Sequence, residues 1–141
     1  MAYCAKTDIL EQMDDDVLIQ LTDDDDAGVV DDDKVTRAIA NADAEIDSYC
    51  GTKYAVPFAT VPAIILTISV DLAIYNLYAR RRGATESVKE RYDDRIAFLK
   101  DIAKGLATLG EDDPDGVPSS ADYPEISSSD RVFSREKLEG W

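Results

Sequence analysis

PAIILTISVDLAIYNLYARRR, residues 62–82, is the stretch whose reading decides the fold. From Val61 to Ala79 it is apolar on most sides, the pattern of either the central helix of a bundle or a membrane span, and a span needs about 20 such residues. Asp71 near its midpoint selects the bundle, because a carboxylate at mid-membrane is costly, and Thr67, Ser69 and Asn76 add polar groups to the same run. Pro62 suits the first turn, with Thr60 as a candidate cap. Arg80, Arg81 and Arg82 stand where cations favour a helix C-terminus, and Gly83 follows as a stop.

Three further helical stretches flank this one. From Asp31 or Asp32 to Cys50, Val35, Ile39, Ala42, Ile46 and Tyr49 recur at steps of four, three, four and three, an amphipathic helix that Gly51 is placed to end. Downstream, Thr85 opens a helix expected to run to about Leu109, with Val88, Tyr92, Ile96, Leu99, Ala103 and Leu106 as its buried stripe and a mixed, solvated opposite face. Upstream, Thr7 to Leu21 reads as one or two short helices, capped by Thr7. The linker KYAVPFATVP, with two prolines, is expected to cross the body in extended form. The expected fold is therefore all-α: a small bundle of about four to five helices over residues 1–110, followed by an extended tail, 111–141, rich in Pro, Ser and Asp.

Charge and composition exclude several functions. The 141 residues carry 30 Asp or Glu against 15 Lys or Arg, a net charge of −15, which opposes gripping a phosphate backbone. The absence of histidine removes Ser-His-Asp and Cys-His nucleophile systems and His-ligated metals, so no enzyme and no cofactor is expected. Cys4 and Cys50 match no close-spaced metal or redox pair, and the N-terminus lacks a basic region followed by a long apolar one, so synthesis and retention in the cytoplasm are expected.

Two clusters invite a chemical reading. The loop between helices at 22–33 holds seven aspartates, and Asp23, Asp25, Gly28, Val30 and Asp31 fall on positions 1, 3, 6, 8 and 9 of an EF-hand loop. Ala27 at position 5 and Lys34 at position 12 break that pattern, leaving Asp23, Asp25 and Asp31 as weak cation candidates, while Val29 and Val30 are placed to pin the loop to the body. Asp71 lacks an identifiable catalytic partner and reads as a structural or intersubunit charge paired with an arginine or tyrosine, as do Arg80 and Arg81.

The order of features is similar to the Mu-like phage neck proteins, long catalogued as a domain of unknown function. The similarity runs over nearly the whole chain: LIQLTD at 18–23, AEIDSYCGTKYAVPF at 44–58, VDLAIYNLYARR at 70–81, KERYDDRIAFLKDIAKG at 89–105 and RVFSREKLEGW at 131–141. The resemblance implies a virion protein of the neck, a head-to-tail adaptor. In that role it forms a ring, twelvefold, of neighbouring copies beneath the portal protein, carries the downstream stopper or tail protein and lets DNA pass without specific binding. It also implies that the C-terminal tail docks on the portal, with Arg131, Val132, Phe133, Leu138 and Trp141 as the anchoring segment. The other reading left by the residues is a small acidic helical module with a regulatory or weak cation-binding role.

The skew of 22 Asp to 8 Glu fits loop and helix-start chemistry, and it also fits a salt-accumulating host in which ions screen self-repulsion. The habitat reading predicts a melting temperature that rises from low to molar KCl; a flat or falling profile overturns it.

Overall fold

The computed structural model describes residues 2–81 and 83–110. Among them the chain is all-α, with five helices and no strand: α1 (Lys6–Leu10), α2 (Asp15–Thr22), α3 (Asp32–Cys50), α4 (Ala63–Arg81) and α5 (Glu86–Lys104).

Helix α4 is long and apolar enough to cross a membrane, yet one face of it is spent inside the bundle, while Leu66 on another stays exposed. Ile65, Ile68, Leu72, Ala73 and Leu77 have no exposed surface. Side-chain bonds give the packing order. Asn76 Nδ2 donates to the Ala38 carbonyl and Ser69 Oγ to Asp43, so α3 runs antiparallel to α4. Asp71 meets Arg95 and Tyr75 stacks on Tyr92, so α5 is antiparallel to α4 on another side. The short helices α1 and α2 close the remaining flank through Ile9, Leu18 and Leu21, all essentially fully buried.

Helix ends follow their local chemistry, with four departures from the sequence expectation. Asp31, at the expected start of α3, caps it, its carboxylate accepting from the amides of Asp33 and Lys34 at 3.1 and 3.4 Å. Thr85 caps α5 through the Val88 amide at 3.4 Å. Thr7 is not a cap: α1 starts one residue before it, and the Asp8 carboxylate reaches back to the Ala5 amide at 2.8 Å. Nor does Thr60 cap α4, whose first carbonyl acceptor is Pro62, one residue outside the helix rather than in its first turn.

The third departure is the end of α5. It stops at Lys104 because Gly105 takes a left-handed φ of +78°, and the Leu106 amide turns back to the Asp101 carbonyl at 2.8 Å. Leu106, expected in the buried stripe, is therefore 76% exposed, and Ile102 fills the core instead.

The fourth is the proline-bearing linker. It does not merely cross the body but plugs it, with Tyr54 and Phe58 buried and ring centroids 6.2 Å apart. Tyr3 completes this aromatic cluster at 5.6 Å from Phe58 and accepts a hydrogen bond from the Phe58 amide at 3.2 Å.

Ile68→Ala, at a fully buried position of α4, is expected to cost about 2–5 kcal/mol in urea unfolding, whereas Leu106→Ala changes stability by less than about 0.5 kcal/mol. Equal effects would contradict the end of α5 described above.

Candidate functional site

Asp71 sits in the middle of α4 with 3% of its surface exposed. Its Oδ2 accepts from Arg95 Nε at 2.7 Å, and Arg91 Nη1 lies 3.6 Å from Oδ1. Arg91 and Arg95 are one helical turn apart on α5, a like-charge pair that would repel on a free surface. From the α5 face expected to be solvated, Arg95 is drawn part-buried onto the carboxylate, while Arg91 approaches it from solvent with about half its side chain exposed. Beside it, Tyr75 and Tyr92 stack with centroids 3.9 Å apart, and the Tyr92 hydroxyl donates to Glu45 of α3 at 2.9 Å. Burial and that carboxylate push the Tyr92 phenol upward, so it stays a donor at neutral pH. Asp71, Arg95, Tyr92 and Glu45 thus tie three helices into one polar seam.

A second polar knot lies where Tyr3, ahead of α1, meets α3. Asp43, buried on α3, accepts from the Tyr3 amide at 3.0 Å and from Ser69 Oγ at 2.7 Å. Burial raises its carboxyl above the ordinary range, an effect these two bonds oppose. Tyr3 Oη donates to Asp47. Burial also pushes the Cys4 thiol up to about 11 and the Cys50 thiol up to about 12, so both are protonated at neutral pH and neither is a nucleophile.

The acidic loop is held by internal cations. Thr22 fastens its base, with Oγ1 accepting from the Asp31 amide at 3.1 Å and its carbonyl accepting from Lys34 Nζ at 3.0 Å. Asp24 is forked by Arg80 at 2.9 Å on each oxygen and approached by Lys34 at 2.7 Å and Arg81 at 3.3 Å. These cations, Arg80 first, hold the Asp24 carboxyl well below the ordinary carboxylate range. Arg80 also donates to the Leu21 carbonyl at 2.7 Å, and Arg81 to the Asp23 carbonyl.

The weak cation candidates separate accordingly. Asp23 spends its oxygens on the amides of Ala27 and Gly28 at 3.0 and 2.7 Å, and Asp31 is the α3 cap and a partner of Lys34 at 3.1 Å. Asp25 is exposed in the loop. Among the described residues no three metal-ligating side chains gather in one place. Val30 packs on the core as expected, but Val29 is 62% exposed and pins nothing. Arg131, Val132, Phe133, Leu138 and Trp141 lie outside the described residues. Tyr3 and Asp43 were invisible as a pair in the sequence, being 40 residues apart with no shared motif.

What fold and charge define is a small all-α protein whose strongest polar groups serve the packing of its own helices. The comparisons give its lineage. The family described as Bacteriophage Mu, Gp36 matches residues 3–127, and the chain belongs to that family. It is 31% identical over 139 residues to the Mu-like prophage FluMu protein gp36 of Haemophilus influenzae, covering 99% of this chain and 97% of that one. It is also 27% identical over 111 residues to Gene product J of Escherichia phage Mu, covering 78% and 77%. The chain is thus a Mu-like phage protein.

Arg95→Met strands the Asp71 carboxylate in the bundle and is expected to cost about 3 kcal/mol in denaturant unfolding. Adding Asp71→Asn should recover part of that loss. Additive costs would mean that the two groups are not coupled.

Proposed function

We propose that this chain is a head-to-tail adaptor subunit that assembles as a ring under the portal protein, joins it to the next neck or tail component and lets the genome pass. The observation that carries the reading is membership of the Mu Gp36 family over almost the whole chain, on a compact helical body in which Asp71 and Asp24 are paired with arginines of its own helices. Such a body suits a rigid structural unit placed between larger components of the virion neck, reached after synthesis in the host cytoplasm.

In this role the 31 residues after Gly110 supply the contact with the portal. RVFSREKLEGW, with Arg131, Val132, Phe133, Leu138 and Trp141, has the aromatic, aliphatic and arginine composition of interface anchors. The net charge of −15 per subunit acts in the same direction: a ring of acidic subunits repels the phosphate backbone, so DNA slides through without sticking. Repeated copies related by rotation make a head-to-tail interface that closes on itself, with a twelvefold ring as the expected closure.

Deleting residues 131–141 is expected to leave the helical content unchanged and to abolish co-sedimentation with portal particles. Truncated protein that still co-sediments overturns the docking role of the tail. Full-length chain that never joins the portal, by size-exclusion with light scattering on the mixture, overturns the adaptor reading itself.

A further inference from the structure

A hollow of about 340 Å³ opens between α3, the start of the chain and the proline-bearing linker. Ala40 and Ala44 of α3, with Ala2 and Pro57, give it small apolar walls, and Asp43 and Asp47 supply its charge. No lysine or arginine lines it. Asp43 is 7% exposed, and its two oxygens accept from neutral donors, the Tyr3 amide at 3.0 Å and Ser69 Oγ at 2.7 Å. Asp47 accepts from the Tyr3 hydroxyl. Neither carboxylate has an ion pair among the described residues, whereas Asp71, the other buried carboxylate, has two arginines. A buried carboxylate without a cation lacks the partner that offsets its desolvation.

We propose that the missing cation is the α-ammonium of Ala2, released when Met1 is removed by an aminopeptidase of the kind that trims methionine ahead of a small residue. In that hydrolysis the Met1–Ala2 amide breaks, water giving its hydroxyl to the Met1 carbonyl carbon and a hydrogen to the Ala2 nitrogen. The proton shed by the new methionine carboxyl then makes the amine an ammonium at neutral pH. Placement follows from contacts already made. Ala2 itself lines the hollow. The Tyr3 amide sits on Asp43 Oδ2 at 3.0 Å, and successive backbone nitrogens lie no more than about 4 Å apart, so the Ala2 nitrogen stands within about 7 Å of that oxygen. Once freed, it turns about the Ala2 Cα–C bond while the Tyr3 bond is kept. Tyr3 is buried, with its amide on Asp43 and its hydroxyl on Asp47, which keeps the terminus at the hollow. Rival cations near in sequence are placed elsewhere: Lys6 is engaged with Asp32, and Arg37 lines a different hollow with Asn41 and Asn76. The pairing locks Tyr3 into its cluster with Phe58 only after the chain is trimmed, and it stands apart from the adaptor reading.

Intact mass of the full chain from its host is the first measurement. Loss of Met1 is expected, and a mass that keeps Met1 or any residue ahead of it overturns the proposal. Chain made with the aminopeptidase inhibited, so that Met1 stays, is then compared in urea before and after trimming in vitro. Trimming is expected to raise the midpoint at pH 7 by roughly 0.5 M. Acetylating the α-amine of the trimmed chain removes the charge, leaves every side chain in place and is expected to abolish the gain. Asp43→Asn, which keeps a carbonyl oxygen for the Tyr3 amide, is expected to abolish it as well. Equal midpoints for trimmed and acetylated chains overturn the ion pair. A gain that survives in Asp43→Asn overturns the assignment to Asp43.

Discussion

A single carboxylate in the middle of the most apolar helix governs how the rest of the bundle is arranged. Asp71 cannot be left charged and unpaired among Ile68, Leu72 and Ala73, because the cost of removing a charge from water is recovered only by close partners. Those partners are Arg91 and Arg95, at the flank of the α5 face that Ile96, Leu99 and Ile102 turn inward. Once α5 is fixed in rotation, Tyr92 is brought onto Tyr75 and its hydroxyl onto Glu45, which extends the polar seam to α3. Apolar contact drives the helices together without direction. The carboxylate supplies the direction.

The acidic loop repeats this logic at the surface. Its aspartates look like a cation site when read in order, but folding brings Arg80 and Arg81 from the end of α4, 56 to 58 residues away, onto Asp24 and the Asp23 carbonyl. The cations at the α4 terminus, which the helix dipole alone would favour, therefore also fasten the loop. Strong internal pairing of this kind leaves Asp24 less free for an external ion than its sequence neighbourhood suggests.

Much of the architecture was legible before any coordinates. The all-α class, the two long helices at 32–50 and 63–81 and the starts of α3 and α5 follow from periodicity and from local hydrogen-bonding groups, which act over four or five residues. The misread positions have separate causes. Lys104-Gly105 and Gly110 both carry a stop signal, and choosing between them needed the left-handed backbone at Gly105, so Leu106 was assigned to a stripe it never joins. Arg91 and Arg95 looked like an ordinary solvated pair because their partner is on another helix. Tyr3, ahead of any regular element, showed no pattern, yet it is bonded to Asp43, Asp47 and Phe58.

By itself the sequence determined that the chain is a helical bundle around residues 63–81, that it carries a large negative charge, and that it shares its order of blocks with Mu-like phage proteins. Period, composition and short-range capping are local properties, so they survive in one dimension. The tertiary structure alone decided which charges are paired and which are not: Asp71 satisfied by α5, Asp24 by α4, and Asp43 buried with no cation among the described residues. The reason is distance. A pairing between groups 24 or 56 residues apart depends on how helices cross and rotate, and no pattern within either segment encodes that.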